Sequence, residues 1–189
     1  MFAMPGRRWR RSPPARAVAG YATTRTAMVA AGLLLVGLVA ACAPPATGPQ
    51  PPHAAVLEVI DGDTVVVRTG QTTEHVRLLG IDTPEIAHHG QPGDCFGAEA
   101  ATRTAELLPA GTTVRLARDV EARDMYDRLL AYVLTPDGNM VNLQLAAEGY
   151  ARELTITPNT RVADHVAAAV DRARDSSIGL WAQCPAEDT

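Results

Sequence analysis

Any fold open to this chain must take three short strands in immediate succession. Between Val56 and Glu85 lie the runs Val56-Leu57-Glu58-Val59-Ile60, Val65-Val66-Val67 and His75-Val76-Arg77-Leu78-Leu79-Gly80-Ile81. The turn formers Asp61-Gly62-Asp63-Thr64 and Thr69-Gly70-Gln71 separate them. Apolar, β-branched runs bounded by Gly and Asp read as strands joined by tight turns. The third run ends in Asp82-Thr83-Pro84-Glu85, so Asp63, Asp82 and Glu85 are expected at the ends of adjacent strands.

Side chains alternate faces along a strand, which places Arg77 with Leu79 and Ile81. A cation on that face calls for a partner or a task. Pro84 holds Thr83 extended, and this leaves the Thr83 carbonyl free to act as a ligand. Hard cations such as calcium take carboxylate and carbonyl oxygens. Asp63, Asp82 and the Thr83 carbonyl would form part of such a shell, with water completing it. Read singly, Asp-Gly-Asp-Thr is ordinary turn chemistry and Asp-Thr-Pro-Glu an ordinary strand exit. The site reading rests on their occurring together.

Further along, Ile86 to Asp94 reads as a polar loop. Its His88-His89 pair invites a zinc site with Cys95, but the spacing matches no common zinc pattern. A helix is expected over Gly97 to Leu108, with Ala98, Ala101, Ala105 and Leu108 as its apolar stripe. Thr112 to Ala117 and Leu129 to Thr135 read as the fourth and fifth strands, with Pro136-Asp137-Gly138-Asn139 as a turn. Val141 to Glu148 reads as a helix closed by Gly149. Arg161 to Arg174 reads as a longer one, with Val162, His165, Val166, Ala169, Val170 and Ala173 on one packed face. The pattern is α+β and mainly β: five short strands and about three helices suggest a small barrel with helices against it, of which the OB-fold is one kind, although pattern alone leaves a generic α+β domain open.

A second cluster, Asp124-Met125-Tyr126-Asp127-Arg128-Leu129-Leu130-Ala131-Tyr132, completes a set of separated motifs. The others are Ile60-Asp61-Gly62-Asp63-Thr64, Arg77-Leu78-Leu79-Gly80-Ile81-Asp82-Thr83-Pro84-Glu85, Met140-Val141-Asn142 and Gly179-Leu180-Trp181. In this order the chain resembles the staphylococcal nuclease (thermonuclease) family over about residues 54–185. The resemblance implies an OB-fold and a calcium-dependent hydrolase of DNA or RNA phosphodiesters. Arg77 and Arg128 suit the phosphate, because a guanidinium fork matches its oxygens and keeps its charge. The resemblance assigns Glu85 to activating or positioning the attacking water, work that a general base can do. Tyr126 is expected to serve as a phosphate or base contact. Arg128 also has a plainer use, an ion pair with Asp124.

Two departures from the family pattern weaken the grip on substrate. Met125 stands where many members carry a lysine. Glu153-Leu154-Thr155-Ile156-Thr157-Pro158-Asn159 carries threonines where members can have two tyrosines. Stacking on an aromatic ring is worth roughly 1–3 kcal/mol per base. Charge acts in the same direction. The chain has 17 arginines, no lysine and 21 acidic residues; six of the arginines precede Cys42 and no acid does, so the remainder is near −10. Nucleic-acid binding leans on cations that release counterions. A non-catalytic OB-fold module binding oligonucleotide or another ligand is therefore the rival reading.

The six early arginines precede Ala27 to Ala41, an unbroken apolar and glycine run. That run is short for a membrane span and suits the core of a signal peptide over residues 1–41. Val39-Ala40-Ala41-Cys42 resembles a bacterial lipoprotein cleavage box, with Cys42 lipidated; ordinary cleavage after Ala40 or Ala41 is the alternative. Residues 42–53 then form a Pro-rich tether, and residues 186–189 a tail. The expected product is an exported monomer, either an outward-facing membrane lipoprotein or a secreted protein. With Cys42 lipidated, Cys95 and Cys184 remain as an even pair in an exported domain, the arithmetic of one disulfide. Two free thiols are the alternative.

Overall fold

The computed structural model describes residues 52–88 and 90–184. Residues 1–51, with the leader, Cys42 and most of the tether, lie outside the described residues, as do His89 and residues 185–189 with the expected tail. Five strands close into a barrel: β1 (His53–Val59), β2 (Thr64–Thr69), β3 (Thr72–Leu78), β5 (Thr113–Ala117) and β6 (Leu129–Leu134). Around the barrel the order is β1-β2-β3-β6-β5. β3 and β6 are parallel, and β1 closes on β5. The remaining elements are β4 (Gly80–Asp82), β7 (Arg152–Leu154), α1 (Gly97–Leu107), α2 (Val141–Ala147), α3 (Ala163–Asp175) and the single-turn α4 (Leu180–Gln183). This is the OB-fold class expected from the strand pattern.

Alternation fills the barrel. Val56, Val65, Val67, Val76, Leu78, Val114, Leu116, Leu129, Ala131 and Val133 point into one buried cluster, which continues into Leu145 of α2 and Val166 and Ala169 of α3. Outside the barrel, Leu79, just after β3, and Leu130 and Tyr132 of β6 form a smaller cluster covered by Ile156 and Val162.

Three expectations need correction. Arg77 shares its face with Leu79 but not with Ile81, which belongs to the barrel core. Gly80, at φ 84°, interrupts the strand and resets the alternation. The short β4 that follows leaves β3 and pairs with β7. In α1 the buried residues are Gly97, Ala100 and Thr104, and Leu108 follows them; Ala98 and Ala105 are exposed. Thr104 faces inward because its hydroxyl donates to the Gly62 carbonyl at 2.7 Å. On α3, Val166, Ala169, Val170 and Ala173 are buried, but His165 is exposed.

Candidate active site

The β1–β2 turn is built by its own side chains. Asp61 Oδ1 accepts the backbone N–H of Asp63 at 2.9 Å and of Thr64 at 2.7 Å. This local bonding is what makes an aspartate a turn former. Gly62 is needed for contact: a Cβ there would stand 2.6 Å from Thr83 Oγ1. The turn therefore packs directly on the β4 exit and directs Asp63 inward. Asp63 Oδ2 accepts the Thr83 N–H at 2.9 Å, and Oδ1 accepts the Thr64 hydroxyl at 3.2 Å.

Arg77 ties the two strand ends together. Its Nη2 lies 3.0 Å from Asp63 Oδ2 and 2.8 Å from Asp82 Oδ1. Nη1 donates to the carbonyls of Leu78 and Ile81 at 2.9 and 2.7 Å. The carbonyls lie on either side of the strand break at Gly80, so the arginine also holds that break in shape. Arg77, Asp63 and Thr83 are buried, whereas the Asp82 side chain is half exposed. Burial pushes the Asp63 carboxyl up to about 7, against the pull of Arg77 and the Thr83 N–H, and the Asp61 and Asp82 charges add to the rise.

Glu85 and Arg128 meet in an adjoining cleft of about 380 Å³, lined also by Ile60, Asp61, Ile86 and His88. Partial desolvation and the charges of Asp61 and Asp82 raise the Glu85 carboxyl above its ordinary range; His88 and Arg77 pull against this. Its backbone is clasped by Asp94. The Glu85 N–H donates to Asp94 Oδ2 at 3.1 Å, and the Asp94 N–H returns to the Glu85 carbonyl at 2.9 Å. Arg128 Nε donates to Asp124 Oδ2 at 2.7 Å, the plainer use expected of it. Arg128 also lines the cleft, and its guanidinium carbon stands 5.5 Å from the Tyr126 ring centroid. Tyr126 and Met125 are strongly exposed.

The structure thus brings Asp63, Arg77, Asp82 and Thr83 into one contact group and Glu85 and Arg128 into the cleft beside it. The oxygens of Asp63 and Asp82, with the Thr83 carbonyl, are hard donors of the kind a calcium ion takes, with water or a phosphate oxygen to complete the shell. Among the described residues, no three His, Cys, Asp or Glu side chains converge as a metal-binding group. The zinc alternative fails for Cys95, which is joined to Cys184 with 5.8 Å between their Cα atoms. Asp94 and Asn142 were not among the site residues read from the sequence. Asn142 accepts the Val133 N–H at 2.9 Å and donates to the Leu79 and Ala131 carbonyls at 2.8 and 3.2 Å, which fixes β6 to the end of β3. No local pattern around either residue signals these bonds.

The family model described as "Staphylococcal nuclease homologue" matches residues 75–183. The chain is 37% identical over 126 residues to the thermonuclease of Staphylococcus intermedius, covering 67% of this chain and 74% of that protein. It is 35% identical over 126 residues to the thermonuclease of Staphylococcus hyicus, covering 67% and 73%. Endonuclease YncB of Bacillus subtilis (strain 168) is 34% identical over 128 residues, covering 66% of this chain and 59% of that protein.

Proposed function

The chain belongs to the staphylococcal nuclease homologue family, and from that premise we propose that it is a calcium-dependent nuclease that hydrolyses DNA or RNA phosphodiesters outside the cytoplasm. The observation that carries the reading is Arg77 joining Asp63 to Asp82 beside the cleft that holds Glu85 and Arg128. Asp63, Asp82 and the Thr83 carbonyl would hold the calcium, which supplies Lewis-acid charge to the phosphate. Glu85 takes a proton from water as the water oxygen bonds to phosphorus, and its raised pKa favours that role. The opposite P–O bond breaks, and its electron pair leaves with the alkoxide, which is protonated to an alcohol. Arg128 and Arg77 offset charge gathering on the phosphate oxygens, an effect stronger in a site that excludes water. Arg77 has Nε left for this, since both its terminal nitrogens are engaged by protein groups.

Export rests on the basic leader and its apolar run, and anchoring on Cys42. Cys42→Ser is expected to move the protein out of the membrane fraction; unchanged partitioning would count against the lipid. The second reading, a binding module without catalysis, draws on the charge near −10 and on the pairing of Arg128 with Asp124. Incubation of the purified protein with single-stranded DNA and RNA, in calcium and then in chelator, separates the two. The nuclease reading expects cleavage that chelator stops and that Arg128→Ala reduces by about two orders of magnitude or more. Binding without cleavage in calcium would establish the module instead.

A further inference from the structure

His88 lines the cleft with Glu85, Asp61 and Arg128 and has no part in the reaction proposed above. With Cys95 committed to Cys184, the zinc site that would have employed it falls away. Its imidazole is near enough for its charge to act on the Glu85 carboxyl.

The loop that carries His88 is built as a hairpin. At its base Glu85 and Asp94 exchange two hydrogen bonds. Further out, the Gln91 N–H donates to the His88 carbonyl at 2.9 Å, and the two residues form an isolated antiparallel bridge. Glu85 opposite Asp94 and His88 opposite Gln91 fit one antiparallel register. Gly90, at φ 80°, lies in the turn between His88 and Gln91, in a left-handed conformation that glycine adopts without penalty. The two limbs lie against each other, since a Cβ on Gly93 would stand 2.7 Å from the Ala87 nitrogen. The place of His88 relative to Glu85 is therefore set by backbone contacts.

The ring is also fixed in its tautomer. Nδ1 lies 2.8 Å from the Ile86 carbonyl oxygen. A carbonyl only accepts, so Nδ1 carries the hydrogen, and in the neutral ring Nε2 is the acceptor. An acceptor in this cleft has a use. The attacking water has two O–H bonds, and Glu85 engages one. Attack is efficient only when the oxygen lone pair is aimed at phosphorus, which requires that the second O–H be held as well. Ile60 and Ile86 offer no acceptor side chain, Arg128 only donates, and Asp61 Oδ1 is committed to two backbone N–H groups of its own turn.

We propose that His88 is the second acceptor for the attacking water, with Nε2 taking a hydrogen bond from one O–H while Glu85 removes the proton of the other. The oxygen then bonds to phosphorus with its lone pair held in line, and the hydrogen facing His88 stays on that oxygen in the product. The inference rests on the nuclease reading.

The test is steady-state cleavage of single-stranded DNA in calcium by the purified protein, by His88→Ala and His88→Gln, and by Glu85→Gln with and without His88→Ala. Thermal unfolding of each variant shows that it is folded. His88→Ala is expected to lower kcat about tenfold or more with KM unchanged. His88→Gln, whose side-chain carbonyl also accepts, should lose less. In the Glu85→Gln background, where the water is no longer activated, His88→Ala should cost about twofold or less, because both residues act on one water. Unchanged kcat in folded His88→Ala, a change in KM alone, or the same loss in both backgrounds would overturn the role and leave the nuclease reading standing. A wild type that cleaves nothing in calcium would overturn both.

Discussion

Gly62 shows how closely one residue can control the candidate site. Its φ lies in an ordinary region, so backbone strain is not the constraint. The constraint is the Thr83 side chain, whose Oγ1, Cβ and Cγ2 would stand 2.6, 2.7 and 2.8 Å from an added Cβ. Thr83 is buried, and its N–H holds Asp63, so it cannot retreat without disturbing the carboxylate. Gly62→Ala should therefore act on binding as well as on stability. Overpacking of this kind typically costs about 1–3 kcal/mol. Calorimetric titration with calcium and thermal unfolding should both report a loss. A variant with wild-type calcium affinity would show that the Gly62–Thr83 contact does not shape the site.

At the level of elements, the strands with regular alternation were readable in the chain, and those set by one backbone angle were not. β2, β5 and β6 carry β-branched or apolar residues at every second position, and β1 and β3 hold to that pattern except at Glu58 and Glu74. β4 and β7 are three residues each and exist because Gly80 turns the chain out of β3. The face of α1 was misread because alanines lie all round it, and Thr104 faces inward for the Gly62 carbonyl. The places of Asp63, Asp82 and Glu85 at the strand ends were legible from their turn and proline contexts. Asp94 bonds back to Glu85 across a loop and Asn142 to Leu79 on another strand, and although Asn142 lies in a motif of the resemblance, its neighbours do not specify these bonds. Asp119 is another such residue. It accepts the Tyr132 hydroxyl at 2.8 Å and the Arg161 N–H at 2.9 Å, linking β6 to the start of α3. Burial works to raise its pKa, but the Arg161 N–H, the Tyr132 hydroxyl and the Arg161 charge outweigh burial and hold it below its ordinary 3.8. A depressed folded value means stability that is present above the unfolded pKa and lost as pH falls through the folded one. Asp119→Asn should thus cost about 1–3 kcal/mol at neutral pH. The gap to wild type should narrow below about pH 4. A gap in melting temperature that stays constant down to pH 2.5 would exclude this role for the charge.

Across the whole domain, the disulfide links the end of the described chain to the backbone beside Glu85. Cys95 directly follows Asp94, which clasps the Glu85 backbone in both directions. Cys184 ends the segment that begins where the Leu180 N–H donates to the Gly149 carbonyl, and Arg174 packs over Trp181 at 4.6 Å. The bridge closes a loop with a sequence separation of 89 residues. Loop closure over that length removes up to about 4–5 kcal/mol of unfolded-state entropy, an upper bound because native strain subtracts from it. Reduction should lower the melting temperature by roughly 5–15 °C. Activity should fall less than stability, because the Asp94 clasp on Glu85 is made of hydrogen bonds that survive the loss of the bridge. The control is the Cys95→Ser, Cys184→Ser double variant, which should melt like the reduced protein and ignore reductant. Reduction that left the melting temperature unchanged would remove the bridge from the stability of the fold. Reduction that abolished activity while the protein stayed folded would mean that the bridge, rather than the Asp94 clasp, holds Glu85 in place.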